Sequence, residues 1–156
     1  GEKVVVFTSY LKMIAIAVAD LRQRFQIPCY EMHGQVPVAQ RQSVVDEFSA
    51  TEGASVLVAN PRVGGTGLNI VSANHVIHYN LEWNPAVEDQ ASARVYRLGQ
   101  QHVVTVHRLF YGGTVEEMID KRVAHKRALA TTAVVPTDDD ETFDYDAALL
   151  LSPRSV

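Results

Sequence analysis

Residues 55–79 read SVLVANPRVGGTGLNIVSANHVIHY, and the order of elements in this stretch decides the architecture. The apolar run Ser55–Ala59 is a strand of the kind buried on both faces, and His75–Tyr79 is another. Between them lies the loop Asn60–Asn69, with glycines at 64, 65 and 67. Working outward, Lys3–Phe7 (KVVVF) is an earlier strand of the same type. From Tyr10 to Phe25, Leu11, Ile14, Val18, Leu21 and Phe25 recur every three or four positions and line one helical face. Ile27–Met32 reads as a strand. Pro37, Val38, Val44, Val45 and Phe48 then define an amphipathic helix that ends before Gly53. Asn84 and Pro85 supply an N-cap and a first-turn proline for a helix running to about Leu98, where Gly99 closes it. Val103–Phe110 is a fifth strand. The last helix starts near Thr114, with Glu116 and Glu117 in its first turn and Lys121, Arg122, Lys126 and Arg127 toward its end, as the macrodipole favours. Its apolar stripe is Val115, Met118, Ile119 and Val123. Strands alternating with helices predict an α/β fold, a mostly parallel sheet covered by helices on both faces.

Composition narrows the functional classes. The chain has 156 residues, enough for one ordinary domain with a sizeable core, and 47% hydrophobic content excludes a disordered polypeptide. A single cysteine, Cys29, excludes an internal disulfide and fits a reducing compartment, with the thiol in the core. No apolar run approaches the ~18 residues that span a bilayer, and no leader-like segment opens the chain. A soluble intracellular protein is expected, in the nucleoid or cytoplasm of a prokaryote or the nucleus of a eukaryote. The 14 basic and 18 acidic side chains give a net charge of −4, but six acids and one base fall in residues 131–156, leaving 13 bases and 12 acids in residues 1–130. The lobe 1–130 is therefore near neutral, and residues 131–156 read as a solvated acidic tail.

In open α/β sheets, ligands bind beyond the carboxyl ends of the strands, where the glycine-rich loop lies. Gly64, Gly65 and Gly67 allow backbone amides to approach a phosphate closely. Taken alone this signal is weak, because the loop lacks the Gly-Lys-Ser/Thr ending of a P-loop. Gln90, Arg94 and Arg97 follow at i, i+4 and i+7, which on a helix projects all three from one face. An arginine pair suits phosphoryl transfer, since guanidinium is permanently charged, forks onto oxygens and stabilises charge that builds in the transition state. His75 and His78 point to opposite faces of their strand, which argues against a shared metal site. His33 is a turn residue, and Asp46 and Glu47 are a solvated helix edge.

VGGTGLN, HVIHYNLEWNP, EDQASARVYRLGQ and GTVEEMI, in that order, resemble the second RecA-like lobe of Swi/Snf-type ATPases, the double-stranded DNA translocases of helicase superfamily two. The resemblance runs from Lys3 to about Leu129. KVVVFTSY is similar to that family's motif IV, EMHGQVPVAQRQSVVDEF to the segment with its His-Gly turn, NPRVGGTGLN to motif V and DQASARVYRLGQ to motif VI. It implies a RecA-like three-layer sandwich. It also makes Arg94 and Arg97 arginine fingers directed at ATP held mainly by another lobe, with Gln90 orienting them. Gly67 and Asn69 would face the nucleotide. Thr8, Gly34, Asn60, Arg62, Gly64 and Gly65 would lie along a DNA backbone track, with Trp83 against the duplex beside it. Binding through phosphates and sugars is largely sequence-independent and salt-sensitive. Pro61 departs from the usual hydroxyl residue of motif V, Tyr96 from a histidine, and Val63 from a common alanine.

Neither a P-loop nor a magnesium-holding carboxylate motif appears in the 156 residues: DEFS at Asp46 sits on the wrong element and DDDE at Asp138 in the tail. The chain is thus expected to be half of a DNA-dependent ATPase, inactive and monomeric alone, with no metal of its own. The N-terminal RecA-like lobe of the same parent would be its partner, and ATP and magnesium would belong to the whole enzyme. The start at a strand after Gly1 and Glu2 fits an excised domain. Two alternatives are a non-catalytic nucleic-acid or protein interaction module and the lobe of an RNA-directed superfamily two helicase. A polyanionic tail would compete with DNA for the track. Deleting residues 131–156 is then expected to raise DNA affinity at low salt, and unchanged affinity would end that idea.

Overall fold

The computed structural model describes residues 1–63 and 67–132. Gly64, Gly65 and the acidic tail from residue 133 onward therefore lie outside the described residues. The elements in chain order are β1 (Lys3–Phe7), α1 (Leu11–Phe25), β2 (Cys29–Met32), α2 (Val38–Ala50), β3 (Ser55–Ala59), β4 (His75–His78), α3 (Pro85–Ser92), β5 (Thr105–Arg108) and α4 (Val115–Thr132). All four strand pairings are parallel, in the order β2-β3-β1-β4-β5. The expected α/β architecture is present.

Two compact units can be distinguished among the described residues: residues 1–80 with 86–109, and residues 81–85 with 110–132. The first contains the sheet. Strand periodicity divides its core into two layers. Val5, Phe7, Met32, Leu57, Ala59 and Val76 pack with Val45 and Phe48 of α2, Ala91 of α3 and Val95 just past it. The intervening Cys29, Val56 and Val58 pack with Ile14 and Val18 of α1. Alternate residues of one strand feeding opposite helical layers is what a period of two dictates. Right-handed crossovers then put α1 on one face and α2 and α3 on the other, because the winding direction reverses after β2. All five residues of β3 are buried.

The ends of the elements have local causes. Gln26 takes a left-handed conformation (φ 53°, ψ 30°), and its N–H caps α1 on the Arg22 carbonyl. The Arg22 guanidinium reaches on to the Cys29 carbonyl at 2.6 Å and fixes the turn into β2. Pro37 stands one residue before α2. Lys3 Nζ donates to the Phe48 and Ser49 carbonyls near the end of α2 (2.9 and 2.5 Å), a cation at the negative end of a helix, and burial lowers its pKa. Cys29 is buried as expected, and desolvation raises its thiol pKa.

Several expectations need correction. The third helix ends at Ser92, not at about Leu98. The Arg94 carbonyl accepts from Ile70 N–H (2.9 Å), while Arg94 N–H and Val95 N–H bond three residues back, to Ala91 and Ser92. A tertiary contact thus competes for the carbonyl that would have continued the helix. Leu11, Phe25 and Val38, placed on apolar faces by spacing, are exposed. Each lies at the first or last position of its helix, beyond the reach of the sheet. The first and third strands fall where expected, while β2, β4 and β5 are shorter because the ladder pairs only Cys29–Met32, His75–His78 and Thr105–Arg108.

In the second unit, Leu81 packs with Ile119 and Val123 of α4, and Val115 borders them. Thr114 Oγ1 accepts from Glu116 N–H at 3.3 Å, and Glu117 Oε2 accepts from Gly113 N–H at 2.6 Å. The Thr114 hydroxyl thereby satisfies an amide that α4 itself leaves open, and Glu117 holds the turn that leads into the helix.

Among the described residues, Ser55 Oγ is a buried side-chain atom without a hydrogen-bond partner. Ser55→Ala is therefore expected to be neutral or to stabilise the chain by up to about 1 kcal/mol. Chemical denaturation would measure it, and a loss above about 1 kcal/mol would show that the hydroxyl does have an undetected partner.

Candidate functional site

Parallel pairing sends the carboxyl end of every strand to one edge of the first unit, and the loops after β1, β3 and β4 meet there. Backbone bonds continue the ladder past the strand ends: Thr8 N–H to Ala59 O (3.0 Å), Asn60 N–H to Met32 O (2.8 Å) and Tyr79 N–H to Phe7 O (2.9 Å). Beside these loops opens a recess of about 1050 Å³, whose walls include Arg62 and Gly67 from the glycine-rich loop and Gln90, Arg94, Tyr96 and Arg97 from α3 and the turns after it. The structure thus brings Gln90, Arg94 and Arg97 together around one space, although only Gln90 is helical. Asn69 is exposed outside that lining.

Arg94 is the best-anchored of these groups. Its Nη1 donates to the Val63 carbonyl at 3.0 Å and its own carbonyl accepts from Ile70 N–H, so the same residue ties down both ends of the stretch 63–70. Burial lowers the Arg94 pKa from the usual arginine value. A guanidinium still stays charged at neutral pH, and its fork of five donors leaves most of them available for anionic oxygens. Arg97 and Tyr96 are exposed, and Arg97 makes no side-chain hydrogen bond or ion pair among the described residues. Gly67 has φ +146°, a conformation that penalises any Cβ.

The residues expected along a track fall into two kinds. Thr8 is buried: its Oγ1 donates to Asn80 Oδ1 at 2.9 Å, so it works inside the edge and not on its surface. Asn60 Oδ1 accepts from Arg62 N–H (2.9 Å) and turns the chain there, while its Nδ2 donates to the Ser9 carbonyl (3.3 Å). Gly34 and Arg62 are exposed at this edge, next to His33, whose Nδ1 accepts from Gln35 N–H in a turn. Trp83 is exposed and belongs to the second unit.

The structure also assigns places to side chains whose partners cannot be read from spacing. Buried His78 bonds Ser92 Oγ through Nε2 (2.9 Å) and stacks on Phe7, which pins the end of α3 to the end of β4 two residues before Arg94. Buried Glu88 of α3 pairs with Arg108 at the end of β5 (Nε to Oε2, 2.9 Å). His75, at the start of β4 and so at the opposite end of the strand, contacts His107 (3.2 Å) and Glu2 (3.1 Å). Among the described residues no group of three or more His, Cys, Asp or Glu is arranged to hold a metal ion, and no helix is long and apolar enough to cross a membrane.

Comparison with known proteins gives the site a context. Residues 1–99 match the helicase conserved C-terminal domain. A putative ATP-dependent helicase/translocase, YwqA of Bacillus subtilis, is 40% identical over 129 residues, covering 83% of this chain and 14% of that protein. The mouse (Mus musculus) DNA repair and recombination protein RAD54B is 34% identical over 145 residues, covering 92% and 16%. This chain is thus similar to a small part of each. Among solved structures, the Sulfolobus solfataricus SWI2/SNF2 ATPase core domain superposes with a TM-score of 0.73 at 30% identity, over 97% of this chain and 31% of that one. The C-terminal part of the Fun30 ATPase domain gives 0.72 at 28% identity, over 77% and 38%.

Removing Glu88 takes the buried carboxylate away from the partly buried Arg108 guanidinium. Glu88→Ala is expected to destabilise the chain by about 3 kcal/mol, and replacing both residues with apolar ones by much less. Urea denaturation of the single and double variants is the check. A single-variant loss under about 1 kcal/mol would mean that the pair is solvated.

Proposed function

The chain belongs to the helicase conserved C-terminal domain family as a C-terminal lobe of Swi2/Snf2-type ATPases, and on that premise we propose that it is the second motor lobe of an ATP-driven double-stranded DNA translocase. The observation that carries the proposal is the recess at the carboxyl edge, where Arg94 and Arg97 stand with Gln90 around a space bordered by Gly67.

In this reading the N-terminal lobe of the same parent holds most of the nucleotide and closes against the recess. Arg94 and Arg97 fork onto the phosphate oxygens and stabilise the negative charge that grows there during transfer to water. Gln90 hydrogen-bonds the arginines or the nucleotide. Gly67 and Asn69 sit on the nucleotide side of the loop. The anchoring of residues 63–70 by Arg94 gives the loop a reason to follow the arginine, and Asn60, Arg62, Gly64 and Gly65 of that loop form, with Gly34, the track for a sugar–phosphate backbone, which Thr8 supports from beneath. Trp83 contacts the duplex. ATP binding closes the lobes, hydrolysis reopens them, and alternating grip turns chemistry into stepping. Magnesium would neutralise charge on the β- and γ-phosphates in the whole enzyme. Among the described residues no Asp or Glu lines the recess, so these side chains suit phosphate oxygens, and the ion's ligands would come from the other lobe. An intracellular site of action, on chromatin or another nucleoprotein, follows from such an activity.

The test is DNA-stimulated ATP hydrolysis by the full-length parent, with the present chain alone as an inactive control. Arg94→Ala and Arg97→Ala are each expected to lower kcat by about 10³-fold or more while ATP and DNA binding persist. Turnover within a few-fold of the unaltered enzyme would favour a non-catalytic interaction module. Stronger stimulation by RNA than by duplex DNA would instead assign the lobe to an RNA-directed helicase.

A further inference from the structure

Asn80, two residues beyond β4, takes no part in the mechanism above, yet it is the acceptor on which the carboxyl edge converges. Its Oδ1 receives two hydrogen bonds, from Thr8 Oγ1 at 2.9 Å and from Ser9 N–H at 3.0 Å. From the other side, Asn60 Nδ2 donates to the Ser9 carbonyl at 3.3 Å. Both polar groups of the Ser9 backbone are therefore held, by asparagines that follow β4 and β3, the two neighbours of β1 in the sheet. Tyr10 comes next, and its carbonyl accepts the N–H groups of Met13 and Ile14 that open α1. Whatever fixes Ser9 thus fixes the whole passage from β1 into α1.

We infer that Asn80 is a positioning residue for DNA engagement: it holds the Ser9 backbone so that the loops after β1 and β3 form one track, without touching nucleotide or DNA itself. The inference rests on the translocase reading above. Its chemistry is specific to an oxygen acceptor. Two donors converge on Oδ1 and occupy both of its lone pairs. One of these donors belongs to Thr8, whose residue is only 1% exposed. A side chain of the same shape without oxygen would take away the acceptor that these two donors share, and the turn would rearrange. Asn80 is absent from the recess lining, so the arginine end should not sense the change directly. The arginine end has its own anchor two residues earlier, the His78 bond to Ser92. Residues 78–80 therefore join the two halves of the edge, and each half can be loosened separately.

The experiment is ATP hydrolysis by the full-length parent as a function of duplex DNA concentration and of ATP concentration. Asn80→Leu is expected to raise the DNA concentration for half-maximal stimulation by about tenfold, the effect of losing one buried acceptor, while the KM for ATP and the DNA-free rate stay within about twofold. Asn80→Asp keeps an oxygen at the same place and should bring the DNA requirement back to near the original. If Asn80→Leu does not unfold cooperatively on heating, Thr8→Val, which deletes one of the two donors, replaces it with a smaller shift in the same direction. An unchanged DNA requirement in the leucine variant overturns the inference. So does an aspartate variant that behaves like leucine, or a parallel rise in the KM for ATP, which would mark a general structural defect. A parent that DNA does not stimulate overturns the translocase reading together with this one, whereas a stimulated parent indifferent to Asn80→Leu overturns this one alone.

Discussion

Parallel pairing of β3, β1 and β4 is the constraint on which the rest of the first unit depends. Three central strands running the same way deliver their carboxyl ends, and the loops that follow, to a single edge. Those loops carry most of the polar residues that matter, from Thr8 through Asn60 to Asn80. Backbone amides just past each strand still bond the neighbouring strand, so the loops inherit their spacing from the ladder. The apolar load that holds the ladder in place is split between the two faces, with Leu57 and Ala59 of β3 feeding one helical layer and Val56 and Val58 the other. Burial of this kind supplies most of the stability of an α/β layer structure.

Against that frame, polar contacts fix the details that burial leaves open. Hydrophobic packing is non-directional and sets only which side of a strand faces inward. The angle at which α3 arrives is set by directional bonds: Glu88 to Arg108 at one end and Ser92 to His78 at the other. Arg94 follows immediately and is fastened to the glycine-rich loop through both its guanidinium and its carbonyl. Loop and arginine are thereby held to one another by two bonds, one from each end of the stretch 63–70.

Sequence periodicity located the sheet well because buried parallel strands are short β-branched runs, and KVVVF and SVLVA leave little alternative. It misjudged the third helix for a physical reason. Spacing at i, i+4 and i+7 described Gln90, Arg94 and Arg97 as though the helix continued, but Ile70, far away in sequence, takes the Arg94 carbonyl and the turn tightens. The three side chains still border one recess. Their convergence survives because a tightened turn displaces them less than a change of face would.

Composition, strand runs and helical spacing determined the layer architecture, the position of the glycine-rich loop and the identity of the basic residues beside it. These are local properties, written in residues a few positions apart. Tertiary structure alone decided which of those residues are held and which are open. Thr8 proved to be internal and Arg97 exposed, while Asn80 and His78, ordinary in any local window, became the anchors of the edge. Hydrogen-bond partners separated by 72 residues, as Thr8 and Asn80 are, leave no periodic trace in the sequence, because only the completed sheet brings their strands' ends within bonding distance.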